Sequence, residues 1–297
     1  MPPQLTIGKE VFFQGVGLHT GNLCKAVFKP APAQTGVTLV RTDLPDRPAV
    51  RALHSAVLGV IRGTTVGDDR MRVHTIEHML SAVYALGIDN LVIELNANEP
   101  PVADGSSQGF YDTLLEAGLA PQDPPQTILA PTEALQYRSG ETEISFEPGE
   151  GLRLTVAIEF KHPLIQRQEF CVEISPETYR REVAPARTFC FDYEVEALKK
   201  QGLAKGGSLD NAVVVGLDRI HNKEKKLRFP DEFVRHKTLD LLGDLYLLGA
   251  HLRGHVKALR PGHGHNIQFV KRLVERFMGA TPEAGGNPVS LTSTEGY

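Results

Sequence analysis

The sequence predicts an α+β protein of two similar domains, each with a mostly antiparallel sheet packed against helices. At 297 residues and 41% hydrophobic content, the chain is longer than a usual single domain and can bury a sizeable core. Each half contains short strand-like runs, such as Leu91 to Leu95 and Leu152 to Ile158, and one long helix with a helical apolar period. Strands and helices combined in this way are typical of α+β domains.

The two long helices are predicted to end in the same way. The first covers His74 to Leu86 and is followed by Gly87, and the second covers Asp231 to Leu248 and is followed by Gly249. A glycine after the last apolar position is a common helix stop, because it adopts the left-handed conformation without strain. Aligned on these glycines, the two ends also share a tyrosine and a leucine. This likeness predicts a degenerate internal duplication.

A proline-rich segment between the halves, Leu119 to Thr127, is the predicted domain boundary. Its Pro124-Pro125 pair is expected to exclude both helix and sheet pairing, because proline has no backbone N–H. We therefore expect an N-terminal domain over residues 1–122 and a C-terminal domain over residues 127–277. Residues 279–297 are rich in Gly, Pro, Ser, Thr and Glu without an apolar period, so we expect a mobile tail.

Charge and cysteine content narrow the possible partners and compartments. A net charge of −4 gives no basic field for nucleic acid or membrane surfaces, and no apolar stretch approaches the roughly 18 residues of a membrane span. The three cysteines are odd in number and lack motif spacing, which favours a reducing compartment over a disulfide framework. We expect a cytoplasmic monomer that binds no nucleic acid and does not insert stably into membranes.

Two clusters of metal-ligand residues predict a zinc hydrolase. His236, Asp240 and Asp244 recur every four residues and therefore share one helical face. Alone, a histidine and an aspartate at this spacing are more often a solvated surface pair. The upstream run His74-Thr75-Ile76-Glu77-His78 adds a histidine beside a glutamate, which supplies a third ligand and a general base.

Two ligand sets are compatible with these residues. A catalytic zinc has three protein ligands and an open position, and His78, His236 and Asp240 meet that count with Glu77 as base. Alternatively, H-x-x-E-H is also the signature of inverted-motif zinc proteases, in which His74 and His78 would both bind the metal. The protease interpretation needs a glutamate further along the chain as third ligand. A non-enzymatic scaffold would leave the whole ligand set without a role.

Six motifs place the chain close to one enzyme family. They are Gly15 to Gly21, His74 to Asn90, Pro101 to Ser106, Ala186 to Phe189, Gly206 to Val213, and Asp231 to Gly249. In content, order and spacing they resemble the UDP-3-O-acyl-N-acetylglucosamine deacetylases of lipid A biosynthesis, over about residues 4–276. The resemblance implies two domains whose helices face each other, each domain carrying a small insert.

The resemblance also implies a reaction and a ligand set. The family is a zinc amidase that removes the N-acetyl group of a UDP-linked, 3-O-acylated N-acetylglucosamine and releases acetate, the committed step of lipid A synthesis. It implies zinc held by His78, His236 and Asp240, a zinc-bound water as nucleophile, and Glu77 as general base. The family does not use the position of His74 as a ligand, so the protease-like pattern would be accidental.

Further catalytic groups are implied by the same resemblance. His263 falls at the family's catalytic histidine, a cationic stabiliser and acid, and Asp244 at the carboxylate that holds it. A nearby carboxylate raises the pKa of a histidine. The run Gly264-His265-Asn266-Ile267 departs from the family's usual sequence, which makes His265 a competing candidate. Thr188 is implied to share the oxyanion with zinc.

Substrate contacts complete what the resemblance implies. The acyl chain would occupy a hydrophobic passage lined by a strand-helix-strand insert at about residues 188–214. The UDP moiety would contact a stacking aromatic ring and a lysine. The residues at these positions are Phe189 and Phe191 for the passage, Phe160 for uracil, Lys237 for the diphosphate, and His19 facing the cleft. Arg260, three residues before His263, is a candidate for a second cation at the diphosphate.

Overall fold

The structure, a computed structural model, describes residues 1–222 and 226–279. These residues form six α-helices, a short 3-10 helix (His54–Ala56) and nineteen strands in two sheet-rich halves, and the strand pairs are mostly antiparallel. The predicted α+β class is therefore confirmed. None of the helices in the described ranges is both long and apolar enough to cross a membrane. Of the tail predicted over residues 279–297, only Gly279 belongs to the described residues.

The N-terminal half is built on a five-stranded sheet. In spatial order its strands are β2 (Val11–Val16), β3 (Leu23–Pro30), β9 (Leu91–Leu95), β4 (Val37–Arg41) and β5 (Ala49–Arg51). All neighbours are antiparallel except β9 and β4. Burial alternates along β4 and β9, because one face packs into the core and the other does not. The helices of this half are α1 (Glu77–Ala85) and α2 (Gln108–Glu116).

The C-terminal half repeats this sheet. In spatial order its strands are β12 (Leu135–Ser139), β13 (Thr142–Glu147), β19 (Gly254–Leu259), β14 (Leu152–Glu159) and β15 (Arg167–Glu173). Only the β19 and β14 pair is parallel. The helices of this half, apart from that of its insert, are α3 (Pro176–Glu182), α5 (Glu232–Tyr246) and α6 (His263–Phe277). In both sheets the strand that comes last in sequence lies between the second and third, which supports the predicted duplication.

Each half also carries a small insert outside its five-stranded sheet. The first insert consists of three short antiparallel strands, β6 (Val57–Gly59), β7 (Thr65–Gly67) and β8 (Arg72–Val73). The second insert consists of β16 (Phe189–Phe191), α4 (Asp192–Lys200) and β17 (Val213–Val215), with its two strands paired in parallel. The strand-helix-strand unit predicted at about residues 188–214 is therefore present. Short strands β11 (Ile128–Leu129) and β18 (His251–Leu252) pair near the domain junction.

The predicted start of the first long helix is wrong. Helix α1 begins at Glu77 rather than at His74. The reason is Thr75, whose φ of 54° lies in the left-handed region and cannot belong to a right-handed helix. His74 instead continues the extended chain, with its backbone N–H donating to the carbonyl of Asn98. His74 and His78 are therefore not one turn apart on a common helix.

The expectation that the proline-rich segment excludes sheet pairing is also wrong. Leu119–Pro125 forms β10, which pairs antiparallel with β1 (Pro3–Ile7). These two strands make a sheet of their own, so each has a free edge. Proline is tolerated on such an edge, because its missing N–H can face away from the partner strand.

Helices α1 and α5 pack against each other across the junction of the two halves. Their predicted glycine ends are confirmed, since Gly87 and Gly249 have φ values of 68° and 75°. The tyrosines that precede these glycines meet edge to face, with ring centroids 6.1 Å apart. Near the start of α1 the backbones of the two helices are in contact. A Cβ placed on Gly243 of α5 would lie only 2.1 Å from the carbonyl oxygen of Glu77 in α1.

We predict that Gly243→Ala lowers the free energy of unfolding by about 1–3 kcal/mol, the usual effect of forcing a methyl group into a packed contact. The clash is with backbone, so no side-chain rotation relieves it. Urea denaturation measures the change. The control is Gly59→Ala, since a Cβ on Gly59 meets no atom within 4 Å. Equal stability of Gly243→Ala and the wild type would contradict a backbone contact at this crossing.

Candidate active site

A cavity of about 550 Å³ lies at the start of α1 and is lined by residues from both inserts. Its lining combines an apolar wall with a group of buried titratable side chains. The site residues predicted from the sequence that line it are His19, Glu77, His78, Phe160, Thr188, Phe189, Phe191, His236, Lys237, Asp240 and His263. Asp244, which is 0% exposed, lies behind His263.

Three buried side chains converge at one end of the cavity. The Nε2 atoms of His78 and His236 lie 3.6 and 3.3 Å from Oδ1 of Asp240. His236 donates its Nδ1–H to the carbonyl of Ala186 at 3.1 Å, which leaves Nε2 facing the other two groups. Asp240 Oδ1 is buried without a hydrogen-bond partner in the described chain. A buried oxygen between two imidazole nitrogens is the arrangement expected where a cation binds.

The charge states of this group also suit a metal. Burial lowers the pKa of His236 to about 4, so the ring is neutral near pH 7. Burial would raise the pKa of Asp240, but His236 and Lys237 hold it well below its usual value. Neutral imidazole and ionised carboxylate are the ligand forms of these side chains. Lys237 Nζ lies 3.3 Å from Asp240 Oδ2, on the oxygen that does not face the histidines.

A second buried group adjoins the first. His263 begins α6, and its Nε2 lies 3.7 Å from Glu77 Oε1. Its Nδ1–H donates to Asp244 Oδ2 at 2.9 Å. Burial would lower the pKa of His263, but the charges of Asp244 and Glu77 raise it well above its usual value. Burial raises the pKa of the Glu77 carboxyl, with His263 opposing that shift. The arrangement pairs a carboxyl group with a histidine that is held as a cation.

Two residues that hydrogen-bond to the carboxylates of this group were not predicted from the sequence. The Thr64 hydroxyl donates to Asp244 Oδ1 at 2.6 Å, and its backbone N–H donates to Glu77 Oε2 at 2.9 Å. Asn266 donates its side-chain amide to Asp244 Oδ2 at 2.9 Å. Asn266 follows His263 by one helical turn, so its spacing offered a signal. Thr64 lies in a loop of the first insert, and no local pattern distinguishes it.

The two alternative histidines lie elsewhere. The Nδ1 of His74 lies 2.9 Å from the Thr65 hydroxyl, and His74 belongs to neither group of converging ligand atoms found among the described residues. The Nδ1 of His265 lies 2.9 Å from the Tyr137 hydroxyl, on another side of α6. The geometry therefore brings His263, and not His265, to Glu77.

The apolar wall of the cavity includes a cluster of three phenylalanine rings. Phe160 packs its ring 5.9 Å from that of Phe189 and 5.8 Å from that of Phe191. Thr188 lies at the edge of this cluster, and its hydroxyl makes no hydrogen bond within the described part of the chain. Arg260 differs from the other predicted contacts, because it is not part of the cavity lining. Its guanidinium instead pairs with Glu141 and with Glu159.

His19 connects the two inserts. Its Nε2–H donates to the carbonyl of Arg62 in the first insert at 3.1 Å, and its Nδ1 accepts from the backbone N–H of Ala204 in the second at 3.4 Å. Burial lowers the pKa of His19, which favours the neutral ring that these two contacts require. His19 therefore lines the cavity and also fixes its wall.

Comparison with known proteins gives matches along most of the chain. A sequence model of the UDP-3-O-acyl N-acetylglycosamine deacetylase family matches residues 4–275. The UDP-3-O-acyl-N-acetylglucosamine deacetylase of Bdellovibrio bacteriovorus is 45% identical over 270 residues, covering 91% of this chain and 89% of that protein. The deacetylase of Myxococcus xanthus is 41% identical, covering 91% and 86%. The "Bifunctional enzyme LpxC/FabZ" of Chlorobaculum tepidum is 42% identical over 91% of this chain, and the match spans 64% of its length.

Proposed function

The chain belongs to the UDP-3-O-acyl N-acetylglycosamine deacetylase family, and we propose that it hydrolyses the N-acetyl group of UDP-3-O-acyl-N-acetylglucosamine and releases acetate. The observation that carries this proposal is the buried convergence of His78, His236 and Asp240 beside Glu77 and His263. Amide hydrolysis needs an activated nucleophile, a stabilised oxyanion and a proton for the departing amine. The two adjoining groups offer all three at one end of the cavity.

The resident metal in this proposal is zinc, held by His78, His236 and Asp240. The fit rests on the donor set and on Asp240 Oδ1, a buried oxygen with no other partner among the described residues. A zinc ion bound there supplies a Lewis acid and lowers the pKa of a water molecule. Lys237 occupies the other oxygen of Asp240 and so helps to keep this carboxylate ionised.

Proton transfer falls to Glu77 and His263. Thr64 holds one oxygen of Glu77 through its backbone N–H, which leaves the other oxygen directed toward His263 and the cavity. Glu77 takes the proton of the attacking water as general base. His263, kept cationic by Asp244, stabilises the developing negative charge and protonates the departing nitrogen. The Thr188 hydroxyl donates a further hydrogen bond to the oxyanion.

The rest of the cavity suits the remainder of the substrate. The aromatic wall of Phe189 and Phe191 takes the acyl chain, and Phe160 stacks on uracil. Lys237 meets the diphosphate. Arg260 would have to release Glu141 or Glu159 before it could contact a phosphate.

We predict that the purified protein contains one tightly bound zinc ion per chain and that Asp240→Ala removes most of it. His74→Ala is the control and leaves the zinc content nearly unchanged, because the His74 ring contacts Thr65 rather than the ligand group. Elemental analysis after dialysis measures both. Loss of zinc in His74→Ala together with retention in Asp240→Ala would favour the protease-type ligand set.

We also predict that Glu77→Gln and His263→Gln each lower kcat on the order of 10²-fold or more while zinc content is retained, because each removes a proton-transfer group. His265→Gln makes the same substitution two residues along α6 and serves as the matched control. Steady-state kinetics with the acylated substrate provides the measurement. A larger loss of kcat in His265→Gln than in His263→Gln would show that His265, and not His263, is the catalytic histidine.

The direct test of the proposal is acetate release from UDP-3-O-myristoyl-N-acetylglucosamine by the zinc-loaded protein. UDP-N-acetylglucosamine, which lacks the acyl chain, should be a very poor substrate, because each buried methylene contributes about 0.8 kcal/mol. Leu198→Asp, in the cavity wall, should selectively lower kcat/KM for the acylated substrate. Leu115→Asp is the control, since Leu115 is exposed on α2. Equal kcat/KM for the two substrates would contradict the proposal that the cavity binds the acyl chain.

A further inference from the structure

An ion pair joins the two inserts across the wall of the cavity. Arg62 lies in the first insert, in the loop between β6 and β7, and Glu194 lies in the first turn of α4 in the second. The Arg62 Nη2 and Glu194 Oε1 atoms are 2.5 Å apart. Both residues line the cavity, and their side chains are 27% and 17% exposed. The pair therefore links elements from different halves of the chain, and it is largely shielded from water.

Both ends of this ion pair are anchored. The second carboxylate oxygen of Glu194 accepts the backbone N–H of Phe191 at 3.1 Å, so the side chain also caps α4. Arg62 has a φ of 56°, a left-handed conformation that is strained for arginine. Its carbonyl accepts the Nε2–H of His19, which helps to hold that conformation. Arg62 and Glu194 thus meet as two fixed groups rather than as free surface side chains.

The position of Glu194 on α4 connects the ion pair to the apolar wall. Leu198 follows Glu194 by four residues, so the two side chains lie on one face of the helix. Leu198 is 7% exposed and lines the same cavity. The ion pair therefore joins the first insert to the face of α4 that carries Leu198 and lines the cavity.

We propose that the Arg62–Glu194 ion pair closes this side of the cavity and makes both residues determinants of the acyl chain length that the enzyme accepts. The inference rests on the proposed deacetylase function, because chain length has meaning only for an acylated substrate. Breaking the pair lets α4 move away from the first insert, and the widened cavity then accepts longer chains.

The kinetic test compares kcat/KM over saturated acyl chains from decanoyl to octadecanoyl. Arg62→Met keeps an unbranched side chain without charge, and Glu194→Gln keeps an acceptor for the Phe191 N–H. Each should raise kcat/KM for chains longer than the wild-type optimum about tenfold relative to that optimum, near the lower limit of discrimination for one methylene in a pocket. The double variant should raise kcat/KM for the longer chains, relative to the wild-type optimum, no further than either single variant does, because both substitutions break the same ion pair.

The matched control is Arg70→Met, the same substitution in the same insert. Arg70 pairs with Asp68 within the first insert and does not line the cavity. Its chain-length profile should equal that of the wild type. Unchanged profiles in Arg62→Met and Glu194→Gln, or additive effects in the double variant, would overturn the proposal.

A second measurement does not depend on catalysis. Cys190 lines the cavity between Phe189 and Phe191, and Cys24 is 0% exposed. In a background in which the exposed Cys171 is replaced by serine, N-ethylmaleimide therefore reports access to Cys190. Breaking the ion pair should accelerate labelling at least several-fold.

Electrostatics makes the labelling result unambiguous. Burial raises the pKa of the Cys190 thiol, the Glu194 charge raises it further, and the Arg62 charge lowers it. Removing the two charges therefore changes thiol reactivity in opposite directions, and acceleration in both variants must come from access. Equal labelling in all proteins overturns the proposal. If the wild type releases no acetate from any chain length, the proposed function fails, while the labelling rates still decide whether the pair closes the cavity.

Discussion

The contact between α1 and α5 at Gly243 is the constraint on which the site depends. A side chain larger than hydrogen at this position would collide with the carbonyl of Glu77, the first residue of α1. At this separation Nε2 of His78 on α1 lies 3.6 Å from Oδ1 of Asp240 on α5. The convergence of His78, His236 and Asp240 is therefore a product of the packing between two helices from different halves of the chain. Neither half contains it alone.

Buried polar contacts hold the flanking segments against this helix pair. Glu99, which is 0% exposed, accepts hydrogen bonds from the backbone of His19 and from the hydroxyl of Thr75. It therefore stabilises both the glycine-rich turn and the left-handed residue that delays the start of α1. The buried ion pair between Arg187 and Glu232 has a similar effect on the other side. It ties the segment that carries the hydrogen-bond acceptor of His236 to the beginning of α5.

Features with local periodicity could be predicted from the sequence. The four-residue spacing of His236, Asp240 and Asp244 predicts a shared face, and a helix produces that face whatever surrounds it. The glycine ends and the α+β class follow from similarly local patterns. The partner of His263 could be assigned only through resemblance to a family, because residues 244 and 263 belong to different helices.

Other features depend on contacts between distant residues and left no local signal. Thr75, which has a left-handed backbone, donates its hydroxyl to Glu99, twenty-four positions further on. The pairing of β10 depends on β1 at the opposite end of the N-terminal half. Thr64 reaches Asp244 over 180 positions, and Arg62 reaches Glu194 over 132. In each case the deciding interaction is tertiary, and the residue types involved are common in unrelated loops.

The repeated topology of the two halves has an evolutionary consequence for the proposed metal site. His78 precedes Tyr84 by six residues, and Asp240 precedes Tyr246 by six, so these two residues occupy equivalent places in the repeat. Two identical chains paired through this helix would be bound by symmetry to present the same residue from both sides. Fusion into one polypeptide removes that restriction. It allows a histidine to face an aspartate across the helix crossing, and the proposed metal site thereby combines nitrogen and oxygen donors.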